Sequence, residues 1–114
     1  MLTLAALKEY GANVEEGLAR CANHESLYLR LVKTMPGNAG FPALYEAVGK
    51  KDYPSAFQAA HGLKGAAGNL SLTPLMKPIY EITELLRASK ETDYSPLLEA
   101  IEAQRKKLEA ICQD

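Results

Sequence analysis

His61 and Lys64 are the residues of this chain whose types and spacing most directly offer chemistry. An unperturbed imidazole titrates near pH 6.5, so at physiological pH it is largely neutral and able to act as a nucleophile or ligand. A lysine three residues further along a helix lies one turn away, within reach of any group attached to that ring. The pair sits in Ala60-His61-Gly62-Leu63-Lys64-Gly65-Ala66-Ala67-Gly68-Asn69-Leu70, where three glycines interrupt an otherwise helical pattern.

A glycine in a helix interior costs about 1 kcal/mol relative to alanine, so Gly62, Gly65 and Gly68 together forfeit about 2–3 kcal/mol of helix preference. Two demands would favour such small residues: approach of another macromolecule or large substrate, or close packing of a neighbouring helix. Ala56, Ala59, Ala60, Leu63, Ala66, Ala67 and Leu70 recur every three or four positions and form one buried stripe. At 100° per residue, Gly65 and Gly68 fall within about 40° of His61, on the side opposite Leu63. His61 is therefore expected to face solvent. Phe57, Gln58 and, if the helix runs on, Leu72 fall near the same face. Apolar residues flanking a polar centre point to a docking surface.

The elements that must hold this face read as helices throughout. With 114 residues and 47% hydrophobic content, the chain suits one domain spanning residues 1–114. Thr3 to about Lys8 can open with a short helix that Gly11 stops. Asn13-Val14-Glu15-Glu16 resembles a capping box, with Asn13 as N-cap and Glu16 reaching back to its backbone amide. Val14, Leu18, Cys21 and Ala22 give that helix an inner face. After a break near Asn23 and His24, Leu27, Tyr28, Leu31, Val32 and Met35 continue the pattern to Pro36-Gly37.

Phe41, Leu44, Tyr45 and Val48 indicate the next helix, and Asp52 with Pro54 opens the histidine helix. Thr73-Pro74 and Ser95-Pro96 each read as an N-cap residue followed by a first-turn proline. Leu75, Ile79, Ile82 and Leu86 line one further helix, and Leu97, Ile101, Leu108 and Ile111 line the last. Pro78 inside the former predicts a kink or a late helix start. The expected architecture is all-α: an antiparallel four-helix bundle with additional short N-terminal helices.

Composition narrows the function. A formal net charge of −1 gives no basic excess for nucleic acid or an anionic membrane. The apolar start, Met1 to Leu7, meets Lys8 and Glu9 before reaching signal or spanning length, so a cytoplasmic protein is expected. Cys21 and Cys112 read as buried free thiols. Cys21 and His24 could share a helical face, but two ligands make only half a metal site. A monomer is expected, because one bundle can satisfy every amphipathic helix.

The segment from His61 to Leu70 closely resembles the H-x-x-K-G signature of histidine-containing phosphotransfer (HPt) domains, carried here by His61, Lys64 and Gly65. Residues 11–18 and 27–32 look like the helices that commonly precede it. The resemblance implies a phosphorelay module in which His61 is the phosphoacceptor, without autokinase activity. Its partners would be a response-regulator receiver domain, a hybrid histidine kinase, or both. The chain would carry no cofactor or metal of its own, with magnesium expected on the receiver. Lys64 would stabilise the charge on the transferring phosphoryl oxygens, and Gly65 and Gly68 would let the receiver's aspartate approach.

The chain departs from the family pattern at two positions. Ser71 stands where many members have a further glycine. Thr83 occupies the position at which a glutamine or glutamate often orients the imidazole, and it is shorter. Arg87, one turn beyond, lies where some relatives place a basic residue; on spacing alone it also suits a solvated face. An alternative is a non-relaying bundle adaptor that binds receiver domains. A hydrolase using His61 as general base lacks a nucleophile, an acidic orienter or a second histidine to complete its site.

Overall fold

The computed structural model describes residues 1–113 and forms seven helices, with no strand among the described residues. They are α1 (Leu4–Tyr10), α2 (Val14–Arg20), α3 (Glu25–Thr34), α4 (Gly40–Gly49), α5 (Tyr53–Asn69), α6 (Thr73–Arg87) and α7 (Ser95–Cys112). In the bundle α4 packs on α5, α5 on α6 and α6 on α7, while the short helices α1 and α3 lean on α7. The expected stripe of α5 is the buried one, with Ala56, Ala60, Leu63 and Ala67 at or below 1% exposure. The small side chains of the three alanines let α4 and α6 approach α5 from two sides.

Local signals in the sequence set several helix ends. Thr3 caps α1 by accepting from the Ala6 amide, and Gly11 ends it at φ +110°, a conformation that an L side chain resists. Asn13 Oδ1 accepts from the Glu16 amide at 3.2 Å, as the capping pattern requires. The reciprocal half of the box is absent. The Asn13 amide donates instead to the Ser71 carbonyl at 2.9 Å, which ties α2 to the α5–α6 turn.

Other expectations at helix ends need correction. Thr73 and Ser95 are the first residues of α6 and α7 rather than their caps, so each proline takes the second helical position. The Leu72 carbonyl already accepts from the Leu75 and Met76 amides, and the Tyr94 carbonyl from Leu98, which starts each helix one residue early. Asp93 does the capping for α7, its Oδ1 accepting from the Ser95 amide at 3.0 Å. Helix α6 does not start late but continues through Pro78. An interior proline costs about 3 kcal/mol. Leu75, Ile79, Ile82 and Leu86 straddle it and are essentially fully buried, each contributing about 1.5–3 kcal/mol.

His24 is the N-cap of α3, its Nδ1 accepting from the Leu27 amide at 3.2 Å, and its side chain is exposed. Cys21 is buried behind the left-handed residues Ala22 and Asn23, so the two do not form a ligand pair. Among the described residues no three His, Cys, Asp or Glu side chains gather as a metal site. Cys112 is only half-buried, contrary to expectation, and packs at the edge of the core in the last turn of α7. Among the described residues no helix is long and apolar enough to cross a membrane.

Candidate functional site

The outward side of α5 carries the histidine. Burying Leu63 and Ala60 against the bundle turns His61 to solvent, and its imidazole stacks on Phe57 one turn earlier. The ring centroids are 5.7 Å apart and the planes differ by 22°. Phe57 is half-buried, and the guanidinium carbon of Arg87 lies 5.1 Å from its ring centroid on α6. Arg87 also pairs with Glu84 at 3.0 Å. Gln58 is exposed on the same side of α5.

Lys64 turns toward α6, where its ammonium lies 4.7 Å from the centroid of the Tyr80 ring. Tyr80 is 54% exposed, so the cation rests on an open aromatic surface rather than in a carboxylate pair. Between the histidine and the far end of α5 lies a shallow cleft of ≈ 270 Å³. Glu16 and Arg20 of α2 form one wall, His61, Lys64, Gly65 and Gly68 the floor, and Met76 of α6 part of the rim.

The glycines discriminate between the two demands that could explain them. A Cβ placed on Gly62 or Gly65 would meet nothing within 4 Å, and one on Gly68 would reach only the end of Met76 at 3.9 Å. No neighbouring helix needs them small. Their effect is confined to the open surface beside His61, where they leave backbone accessible.

Leu72 does not join this surface. Helix α5 ends at Asn69, Ser71 adopts φ +54°, and the Leu72 amide donates to the Ala67 carbonyl while the Ser71 amide donates to Gly68. That is a Schellman turn with its left-handed residue at Ser71. The reversal drives Leu72 inward to complete burial. Thr83 is likewise fully buried, and its hydroxyl donates to the Ile79 carbonyl one turn back at 2.6 Å. It is not available to orient the imidazole. Among the described residues the His61 ring nitrogens have no hydrogen-bond partner, and the Phe57 stack is what positions the ring.

Sequence reasoning missed Tyr80, Glu16, Arg20 and Met76. Tyr80 had a legible signal, since it is a large aromatic lying off the apolar stripe of its helix. Nothing in the spacing of residues 16 and 20 relates them to residue 61. Only the docking of α2 on the α5–α6 turn does so.

This geometry places an exposed imidazole, without a hydrogen-bond partner among the described residues, beside the Lys64 cation and a cleared backbone surface on the second helix of a four-helix bundle. In comparison with known families, the family model described as the Hpt domain matches residues 37–113, about two thirds of the chain. The match takes in all of α4, α5 and α6 and all of α7, and leaves α1, α2 and α3 outside it. The segments 11–18 and 27–32, which resemble the family's preceding helices, thus lie beyond the matched region. No individual curated protein and no solved structure matches the chain. The chain belongs to the Hpt domain family, whose members are phosphotransfer carriers of phosphorelays and not kinases.

Proposed function

We propose that this chain carries a phosphoryl group on His61 and exchanges it with the aspartate of a response-regulator receiver domain. The observation that carries the reading is the glycine surface. Three helix-interior glycines weaken α5 without serving any contact among the described residues, and two of them, Gly65 and Gly68, line the cleft beside His61 that a partner must enter. In-line displacement demands that approach, because the attacking and leaving atoms must align on phosphorus.

In the accepting direction a lone pair on one imidazole nitrogen attacks the phosphorus of the receiver's aspartyl phosphate. The N–P bond forms as the P–O bond to the aspartate breaks, and that electron pair returns to the carboxylate. The positive charge this leaves on the ring is relieved by releasing the proton of the other nitrogen to solvent. The reverse direction runs through the same in-line geometry. Lys64 can leave Tyr80 at a cost of only about 0.5–1 kcal/mol for an exposed cation–π contact, and it then meets the phosphoryl oxygens. Gln58, Gly65 and Gly68 would face the partner, with Phe57 holding the ring and Arg87 backing Phe57. Magnesium would be supplied by the receiver's own acidic site. The same reading makes the protein a cytoplasmic monomer that meets receivers or hybrid kinases transiently.

Incubation with a phosphorylated receiver, followed by mass spectrometry under non-acidic conditions, tests the assignment. Acid-labile phosphate on His61 is expected, and His61→Gln should abolish it with the fold intact. Phosphate accepted at another residue would refute the role of His61. The buried, self-bonded Thr83 favours one second reading, an adaptor that binds receivers without exchange. Equal receiver binding by wild type and His61→Gln, with no phosphoryl transfer to either, would support it.

A further inference from the structure

We propose that Arg20, on a helix outside the region matched to the family, is a second phosphoryl-binding cation of the His61 site. The inference rests on the phosphohistidine reading above and deepens it. Arg20 lines the same ≈ 270 Å³ cleft as His61, Lys64, Gly65 and Gly68, and its side chain is 51% exposed.

Two hydrogen bonds fix the carboxylate that holds it. Glu16 Oε1 accepts from the buried Ser71 hydroxyl at 3.1 Å, and Oε2 accepts from Asn13 Nδ2 at 3.3 Å. Arg20 then approaches Oε1 with Nε at 3.3 Å and Nη2 at 3.2 Å. Among the described residues the Nη1 edge of the guanidinium has no partner. A guanidinium fork can therefore stay paired with Glu16 along one edge and donate to a phosphoryl oxygen along the other. The Ser71 carbonyl accepts from the Asn13 amide as well, so one residue in a left-handed turn ties α2 to the end of the histidine helix twice. Serine at φ +54° is strained relative to glycine, and its hydroxyl supplies a bond that glycine cannot. With Lys64 on one side of the ring and Arg20 across the cleft, a phosphoryl group on His61 would be met by two cations.

The test uses the full chain phosphorylated with phosphoramidate, the attachment site located by mass spectrometry. The phosphorus resonance is then followed against pH in wild type, Arg20→Ala, Arg20→Lys and Glu16→Gln. A cation roughly 5 Å from the phosphoryl group in a water-like dielectric shifts its titration by about half a pH unit. Arg20→Ala should raise the midpoint by about that amount, Arg20→Lys should restore part of the shift, and Glu16→Gln should lower the midpoint. A purely structural Arg20 would change melting temperature and leave the midpoint alone. Phosphate on His61 with the same midpoint in wild type and Arg20→Ala would overturn the role of Arg20 alone. Absence of phosphate from His61 would overturn the underlying reading and this inference with it.

Discussion

The imidazole of His61 lies against the ring of Phe57, with centroids 5.7 Å apart and planes 22° from parallel. The polar orienter expected from the family pattern is replaced here by an aromatic face. Phe57 also supports the Arg87 guanidinium, so one ring organises the upper half of the site. Phe57→Ala should slow phosphoryl transfer on the order of three- to tenfold by letting the imidazole sample unproductive rotamers. Phe57→Tyr should retain most of the rate. Transfer rates measured at saturating receiver separate this effect from weaker docking, and an unchanged rate in Phe57→Ala would show that the stack has no part in transfer.

An exposed glycine and a buried one should respond oppositely to alanine. At Gly65 a Cβ meets nothing, so Gly65→Ala should stabilise the fold by up to about 1 kcal/mol, or roughly 3–6 °C in melting temperature. The same change should weaken receiver docking, and Gly65→Gln more so. At Gly17 a Cβ would come within 2.6 Å of the Tyr28 ring, which is itself fully buried and donates through its hydroxyl to the Leu70 carbonyl at 2.9 Å. Gly17→Ala should therefore destabilise by about 1–3 kcal/mol. Thermal melts of the two variants give the comparison directly.

Lys64→Ala should slow transfer on the order of ten- to a hundredfold while changing receiver affinity less than threefold, because its cation acts on charge that develops during transfer. Tyr80→Ala removes the resting place of the ammonium. That variant should transfer at least as fast as wild type. A loss of rate in Tyr80→Ala comparable to that in Lys64→Ala would mean that the ring holds Lys64 in its working position.

Stability should decline in acid through Glu102. Its carboxylate accepts from Arg105 Nε and Nη2, both at 2.8 Å, and from the Tyr45 hydroxyl at 2.9 Å. The Arg105 hydrogen bonds, chiefly, and that of Tyr45 hold Glu102 below the ordinary glutamate value of 4.5. A carboxyl depressed in the folded state contributes stability that is complete above its unfolded value and is lost as pH falls through the folded one. Because Arg105 also donates to the Pro36 carbonyl, this pair anchors the α3–α4 connection to α7. Melting temperatures measured downward from pH 6 should fall below about pH 4.5 in wild type. Glu102→Gln should be less stable at pH 7 and show a flatter acid limb.

Much of the fold is legible in the chain because its signals are local. The stripe of Ala56, Ala60, Leu63 and Ala67 fixes which side of α5 is buried, and so fixes that His61 faces out. Thr3, Gly11 and Asn13 act on amides and carbonyls within a few residues of themselves. Helix starts at Thr73 and Ser95 are less legible, since Leu72 and Tyr94 begin them through carbonyls that carry no side-chain signature.

The sequence by itself determined that this protein is a helical bundle with an exposed histidine, a lysine one turn on and a glycine-cleared face. Each of those features follows from periodicity and side-chain size along one helix. Tertiary structure alone decided what surrounds them. It took Leu72 into the core through the left-handed turn at Ser71, and spent the Thr83 hydroxyl on its own helix. It also brought Glu16 and Arg20 to a cleft shared with residues more than forty positions away. The physical reason is that these contacts depend on where a neighbouring helix docks, and docking is set by the summed burial of many residues rather than by any spacing along the chain.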